Sequence, residues 1–217
     1  MHHYAQVYIV KHTFEDLEKI HGENWVEKYW EKIEEAVEST ARLVIYYEGQ
    51  VIEPLYHSNS GGMTEDAVNV FAVDSPYLKA VESPYEKDAP KYRTVINLTV
   101  DEFISKLQKK YPNIKTDKGN FYEKIKLVEK TNSGRIKTLA IGDVIINGRE
   151  IRDLYGLNST NFKIIFDKNL NLIEIETYGY GHGVGMSQWG ANGMAKLGKT
   201  YEEILRHYYT GIDLKKM

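Results

Sequence analysis

A short segment of alternating glycines constrains this chain more than any other feature of its sequence. Glycine occupies every second position from Gly179 to Gly185, and the segment continues as Met186-Ser187-Gln188-Trp189-Gly190. Glycine adopts conformations that other residues avoid, and it lets a strand or a ligand approach the backbone closely. The same segment carries a histidine, a serine, a glutamine and aromatic rings, a set that suits a sugar, because rings cover its apolar face while amides and hydroxyls bond its rim. The alternative is that the glycines only permit tight helix–sheet packing around a core His182.

A second polar loop is Ser58-Asn59-Ser60-Gly61-Gly62, which is followed by Thr64 and Glu65. Its hydroxyls and free backbone N–H groups suit a carboxylate, an acetamido group or a developing oxyanion. An ordinary turn would use the same residue types. The loop follows a predicted strand, Val51–Tyr56, so a rigid scaffold would present it.

The periodicity of the apolar residues predicts a mixture of helices and hairpins, and therefore an α+β fold around one core. Thr99 and Glu102 have the spacing of a capping box, which predicts a helix over residues 99–111. The other predicted helices cover residues 23–41, 149–157, 186–197 and 201–209. The predicted strands are Leu43–Tyr47, Val51–Tyr56, a strand-rich stretch over 122–146 with turns at Ser133-Gly134 and Gly142-Asp143, and strands over 161–166 and 170–178. Residues 85–160 are predicted to form an inserted or appended subdomain.

Composition excludes several classes of function. The net charge of −3 over 217 residues argues against wholesale nucleic-acid binding. The absence of cysteine removes disulfides and thiolate metal sites. No apolar run approaches the ~18 residues that a membrane-spanning helix needs.

The two loops together resemble the signatures of the stage II sporulation protein D family, also called SpoIID/LytB. The resemblance extends over the whole chain in the same order. Its further segments are Gln6-Val7-Tyr8, Ser75-Pro76-Tyr77-Leu78, Val81-Glu82-Ser83-Pro84, Gly148-Arg149-Glu150-Ile151-Arg152, Ser159-Thr160-Asn161-Phe162 and Tyr201-Glu202-Glu203-Ile204-Leu205.

This resemblance implies a lytic transglycosylase that cuts peptidoglycan glycan strands at the sporulation septum during engulfment. It implies an extracytoplasmic location and cooperation with stage II sporulation proteins P and M. The implied reaction uses one acid–base carboxyl group and yields 1,6-anhydromuramic acid. The resemblance implies no cofactor. The other reading is a non-catalytic wall-binding or amidase-enhancing module, a role associated with the LytB branch.

The chain departs from the family in one respect. The family's catalytic glutamate lies in a Glu-Met-Pro-like segment upstream of the Gln-x-Tyr segment, and this chain begins at about that segment. We therefore expect residues 1–217 to be a domain of this family without its N-terminal part, anchor included. The chain is either a truncated form or a relative that binds without cutting.

Candidate site residues follow from both loops. The expected sugar contacts are Ser58, Asn59, Ser60, Gly61, Gly62, Tyr178, His182, Gly183, Ser187, Gln188 and Trp189. The catalytic residue is unknown; Glu65 is the best substitute within the chain, and the alternative for it is a solvent-facing residue after a turn. Arg149 and Arg152 would either meet sugar carboxylates or remain solvated. Some relatives carry zinc on histidine and cysteine; His2, His3 and His12 make a poor site, so we expect no metal.

Overall fold

A computed structural model describes residues 12–114 and 121–217, which fall into two units. The first unit is Met1–Val44 with Leu214–Met217, and the second is Ile45–Asp213.

The first unit contains two helices, α1 (Phe14–His21) and α2 (Trp25–Ser39). Thr13 caps α1 through a capping box with Asp16. The Val26 N–H donates to Glu18 Oε1 at 2.8 Å, which joins the start of α2 to α1. The helix predicted over 23–41 is therefore confirmed, two residues shorter at each end.

The second unit begins within β1 (Leu43–Tyr47), which pairs antiparallel with β2 (Gln50–Val51). The prediction of one continuous strand over Val51–Tyr56 is wrong. The strand ends at Val51 and a separate strand, β3 (Tyr56–His57), follows. Pro54 lies between them and has no N–H to donate to a sheet. A short helix, α3 (Ala67–Phe71), comes after the polar loop.

An antiparallel sheet has β9 (Leu172–Tyr178) between β4 (Arg93–Thr99) and β8 (Phe162–Asp167). Exposure alternates along β4, so one face of the sheet packs on the core and the other faces solvent. Helix α4 (Val100–Lys110) follows β4 directly, with the predicted capping box between Thr99 and Glu102.

A second antiparallel sheet follows the four-residue helix α5 (Phe121–Lys124). Its strands are β5 (Ile125–Lys130), β6 (Ile136–Ile141) and β7 (Val144–Asn147), in that order. The turns predicted at Ser133-Gly134 and Gly142-Asp143 join these strands. Helix α6 (Gly148–Tyr155) ends at Gly156, as predicted. One apolar core is shared by α4, α6 and strands of both sheets, and the 85–160 subdomain stays a prediction.

The last part of the chain holds β10 (Met186–Ser187), α7 (Gln188–Lys196), α8 (Tyr201–Tyr208) and β11 (Asp213–Lys216). The helix predicted from Met186 begins two residues later, because Met186 and Ser187 pair in parallel with β3. The α+β fold class is confirmed. Within residues 12–114 and 121–217, no helix is long and apolar enough to cross a membrane.

Candidate functional site

The two polar loops lie side by side in the second unit. Asn59 and Tyr180 exchange two backbone hydrogen bonds, at 3.1 and 2.8 Å. The parallel pair β3–β10 continues this contact, and the Trp189 N–H donates to the Ser58 carbonyl at 3.0 Å. The structure thus brings the two loops together, and short backbone contacts maintain their junction.

Glycine is required at the points where the loops touch. Gly61 and Gly179 have φ values of +76° and +81°, and a Cβ on either would lie 2.8 Å from backbone atoms of the opposite loop. A Cβ on Gly181 would lie 2.9 Å from the Cβ of His57. These glycines therefore allow close packing, as in the alternative reading of the glycine-rich segment. The close packing is between the two loops and not between a helix and a sheet.

Glu86 is the central buried residue of the site, and sequence reasoning missed it. Its side chain is 1% exposed. Oε1 accepts the N–H groups of Ser60 and Gly62, at 2.9 and 3.0 Å, and the Ser60 hydroxyl. Oε2 accepts the Ser187 hydroxyl. One carboxylate thus joins both loops through four N–H and O–H donors.

The sequence carried one weak signal for Glu86. It lies two residues after the Val81-Glu82-Ser83-Pro84 segment that contributes to the family resemblance. A glutamate is by default a surface residue, so only the contacts of the folded chain reveal it.

Glu65 is buried as well, at 1% exposure, and not solvent-facing. The tip of the β5–β6 hairpin covers it: the hydroxyls of Thr131 and Ser133 both donate to Oε2 at 2.6 Å. Oε1 accepts the Asp66 N–H and the Asn69 side-chain amide, each at 2.9 Å. All four donors belong to the protein and the side chain is buried, which favours a structural role over contact with a substrate.

Arg135 links the same hairpin to the polar loop. It is 1% exposed, and its Nη2 donates to the carbonyl oxygens of Ser60 and Met63, at 2.7 and 3.3 Å. Its Nε lies 4.0 Å from Glu65 Oε2. Burial lowers the pKa of Arg135 to about 10, an effect that the Glu65 charge opposes. The guanidinium therefore remains charged at neutral pH and fixes the backbone of the polar loop.

His57 and His182 lie against each other, with ring centroids 5.6 Å apart. The Val184 carbonyl lies 3.1 Å from His57 Nδ1, which must therefore be the protonated nitrogen. The Val184 N–H in turn donates to His182 Nδ1 at 3.1 Å. His57 is 4% exposed, whereas His182 is partly exposed and also meets the ring of Phe71 at 5.5 Å. His182 is thus the histidine that can reach a ligand.

His57 makes the stability of the chain sensitive to acid. Burial first, and then the nearby charges of His182 and Arg135, lower its pKa well below 6.5. Below about pH 6.5 the unfolded chain binds a proton at this position that the folded chain does not, so stability falls as the pH falls, by up to about 1.4 kcal/mol per pH unit. We expect the loss of Tm between pH 7.5 and pH 5 to be smaller in His57→Asn than in the wild type. The exposed control, His21→Asn, should keep the wild-type slope, and equal slopes for all three proteins would contradict this assignment.

A solvent-facing surface lies beside the joined loops, and we call it the tyrosine–cation surface. Its residues are Lys91, Tyr92, Arg93, Lys163, Tyr178 and Tyr180. The rings of Tyr92 and Tyr178 meet edge to face, with centroids 6.3 Å apart. The Tyr92 hydroxyl would lie 3.7 Å from a Cβ on Gly62, so the bare Gly61–Gly62 backbone borders the rings. This arrangement is open to a ligand and can contact both faces and edges of a sugar.

Burial divides the predicted site residues into two groups. The exposed or partly exposed ones are Ser58, Gly61, Gly62, Tyr178, His182, Gln188 and Trp189, and the buried ones are Asn59, Ser60, Gly183 and Ser187. The hydroxyls of Ser60 and Ser187 donate to Glu86, and the Gly183 carbonyl accepts the Glu65 N–H at 2.8 Å. The first group can touch a ligand, and the second holds the loops in place.

The other predicted positions belong to α6 or to the N-terminal part of the chain. Arg149 is exposed, and the partly buried Arg152 donates through Nε to the Leu157 carbonyl at 3.2 Å. His2, His3 and the Gln6-Val7-Tyr8 segment lie outside the described residues. In the part of the chain that is described, no three His, Asp or Glu side chains are grouped to hold a metal ion.

Comparisons with known proteins agree with the motifs. Residues 71–185 match a family model described as "Domain of unknown function (DUF8618)". The chain is 37% identical over 212 residues to stage II sporulation protein D of Bacillus subtilis (strain 168), and 35% identical over 212 residues to that of Bacillus amyloliquefaciens. Each alignment covers 98% of this chain and 59% of the relative. The amidase enhancer of Bacillus subtilis is 27% identical over 226 aligned residues, which cover 82% of this chain and 32% of that relative.

The chain thus spans 59% of the length of the two sporulation proteins that it matches. The predicted resemblance is confirmed, because nearly the whole chain aligns with them and the family model covers the segment between the two loops. The chain therefore belongs to the family described as domain of unknown function DUF8618, which its residues 71–185 match, and nearly its whole length is similar to stage II sporulation protein D.

Proposed function

We propose that this chain binds peptidoglycan glycan strands in the cell-wall remodelling of sporulation, as the glycan-holding part of a lytic transglycosylase. The observation that carries the proposal is the junction of the two loops beside exposed tyrosines. Rings, exposed amide and hydroxyl groups and bare glycine backbone meet there, as sugar recognition requires. Two of the relatives reported above are named as sporulation proteins.

The contacts of this binding site come from the exposed residues. Tyr178 offers a ring to the apolar face of a sugar, and the Gly61–Gly62 backbone allows the ring to approach closely. His182, Ser58 and Gln188 supply polar groups at the rim, and Trp189 adds a second aromatic side chain. Asn59, Ser60, Gly183 and Ser187 act indirectly, by fixing the shape of the loops.

Neither buried glutamate is proposed as the proton donor. Glu65 and Glu86 are each 1% exposed and hydrogen-bonded to donors of the protein, so neither carboxyl group is open to a substrate. The acid–base carboxyl group of a lytic transglycosylase belongs, by the family resemblance, to a segment upstream of the sequence described here. We propose that cleavage depends on that segment, at the septum and together with stage II sporulation proteins P and M.

A direct test is the binding of purified glycan strands. Tyr178→Ala and His182→Ala should each weaken cosedimentation with strands by about tenfold, which corresponds to about 1.4 kcal/mol of binding free energy. The control is Tyr201→Ala, since Tyr201 is 44% exposed and lies on α8. Wild-type Tm values would show that the folds are intact. Undiminished binding by both site variants would refute the placement of the site.

The second candidate is a non-catalytic amidase-enhancing module, which the similarity to the amidase enhancer favours. The two functions differ in their products. If the chain is part of a lytic transglycosylase, a preparation that includes the upstream segment should release 1,6-anhydromuramyl fragments from glycan strands. If it is an amidase-enhancing module, the same preparation should release no such fragments and should only stimulate an added amidase.

A further inference from the structure

Strand β8 lies at one edge of its antiparallel sheet, with β9 as its neighbour on the inner side. The Tyr178 N–H donates to the Asn161 carbonyl at 2.8 Å, so the residue pair just before β8 is a hydrogen-bonded pair. Hydrogen-bonded and non-hydrogen-bonded pairs alternate along an antiparallel ladder, so the odd-numbered residues of β8 direct their backbone groups at β9 and the even-numbered residues direct theirs away from it. The outward groups are the N–H and C=O of Phe162, Ile164 and Phe166.

These outward backbone groups form a free edge. Within residues 12–114 and 121–217, no backbone hydrogen bond joins Phe162, Ile164 or Phe166 to a segment other than β9. The edge begins after Thr160, whose carbonyl accepts the Ile136 N–H at 2.9 Å. A row of N–H and C=O groups at a sheet edge can pair with a further strand.

The side chains on the solvent-facing side of β8 show which strand fits this edge. They are Lys163, Ile165 and Asp167, and Ile165 is 46% exposed. The two charged residues are of opposite sign and lie two positions before and two positions after Ile165. A second β8, antiparallel to the first and centred on Ile165, would therefore place each Lys163 opposite the Asp167 of the other copy.

The same register also satisfies the backbone. It places Ile164 of one copy opposite Phe166 of the other, and both residues direct their N–H and C=O groups outwards. Each of these pairs can therefore exchange both of its N–H···O bonds, as the hydrogen-bonded pairs of an antiparallel ladder do. Backbone and charge thus agree on one register.

The opposite edge of this sheet lacks that symmetry. Strand β4 contains a single charged residue, Arg93, which pairs with Glu176. No antiparallel register of β4 with itself can therefore place opposite charges against each other. The self-complementary pattern is a property of β8 and not of both edges.

We propose that two copies of this chain associate through β8, antiparallel and centred on Ile165, so that two three-stranded sheets become one continuous sheet. The contact is isologous, because a two-fold axis perpendicular to the sheet passes between the two Ile165 residues. The strand has six residues, so the interface is small and the dimer weak, with a Kd on the order of 10 µM.

The test is a charge swap, read by sedimentation equilibrium of the full chain. Lys163→Asp places two aspartates opposite each other at each charged pair, and Asp167→Lys places two lysines there. Each variant should weaken the dimer by about tenfold or more. The double variant restores opposite charges and should recover the wild-type Kd. An equimolar mixture of the two single variants should form heterodimers, because every charged pair between them is again of opposite sign.

A further pair of variants tests the centre of the contact. Ile165→Lys places two lysines against each other at the two-fold axis and should also weaken the dimer by about tenfold or more. Val95→Lys is the matched control, since Val95 is 37% exposed on the same side of the sheet but belongs to β4. It should dimerise as the wild type does. Wild-type Tm values would show that each variant is folded.

Several outcomes would overturn this inference. One is a wild-type chain that stays monomeric up to about 1 mM. Another is a dimer that neither the single charge swaps nor Ile165→Lys weaken, because association would then use a different surface. A double variant and a mixture of single variants that both remain monomeric would show that the proposed register is wrong.

Discussion

Glu86→Ala is expected to lower the free energy of unfolding by about 4 kcal/mol, because four buried donors lose their acceptor. The hydroxyls of Ser60 and Ser187 and the N–H groups of Ser60 and Gly62 all donate to the Glu86 carboxylate, and truncation removes their common acceptor. The measurement is urea unfolding followed by circular dichroism. Glycan binding should weaken in the same variant, since the carboxylate holds both loops.

Two further variants give the Glu86 experiment its contrast. Glu86→Gln keeps the side-chain volume but turns an amide N–H₂ towards donors. Its free energy of unfolding should therefore lie between those of the wild type and the alanine variant. Glu129→Ala is the control, because Glu129 is an exposed residue paired with Lys137 and should change stability by no more than about 0.5 kcal/mol. A Gln variant as stable as the wild type would show that the negative charge is not needed.

Gly185→Ala is expected to be nearly as damaging, at about 4 kcal/mol, through two separate effects. Its φ of +70° disfavours any Cβ, and the added atom would overlap the carbonyl oxygen of Leu55. That oxygen also accepts the Met186 N–H at 3.1 Å and the Tyr209 hydroxyl at 2.9 Å. Displacing it would break both bonds and pull β3 away from β10.

Gly198→Ala isolates the conformational part of this cost. Gly198 has a φ of +82°, and nothing lies within 4 Å of a Cβ built on it. It should lose only about 1 kcal/mol. Thermal unfolding of both variants measures the difference. Equal losses would mean that the contact with Leu55 relaxes easily and that the glycine is needed for its backbone angle alone.

Local signals in the sequence were sufficient for much of the fold. The Thr99–Glu102 spacing located the start of α4, and Gly156 located the end of α6, because caps depend on a few adjacent residues. The two-residue strands β3 and β10 could not be predicted from local signals of this kind. Each of these strands forms only because it pairs with the other, and the sequence of neither strand identifies its partner.

The candidate site was predictable in its loops and not in its interior. Glycine and serine marked both loops, and aromatic residues marked the second, from composition alone. Glu86, Glu65 and Arg135 were missed or expected in solvent, because charged residues are rarely buried without partners and the partners come from distant segments. The β5–β6 hairpin illustrates this: its tip was predicted as a turn, but its role in covering Glu65 depends on tertiary contact.

The hydrogen bond between Glu86 and Ser187 spans 101 residues, and the one between His57 and Val184 spans 127. Loop closure over such distances costs entropy before any contact compensates for it, so these bonds form late on the folding pathway. On the ribosome, the first loop and Glu86 emerge long before Ser187 is synthesised. Until then the Glu86 carboxylate has three of its four donors, all from the first loop, and the second loop is not yet in place; glycan affinity should therefore appear abruptly, near the end of synthesis.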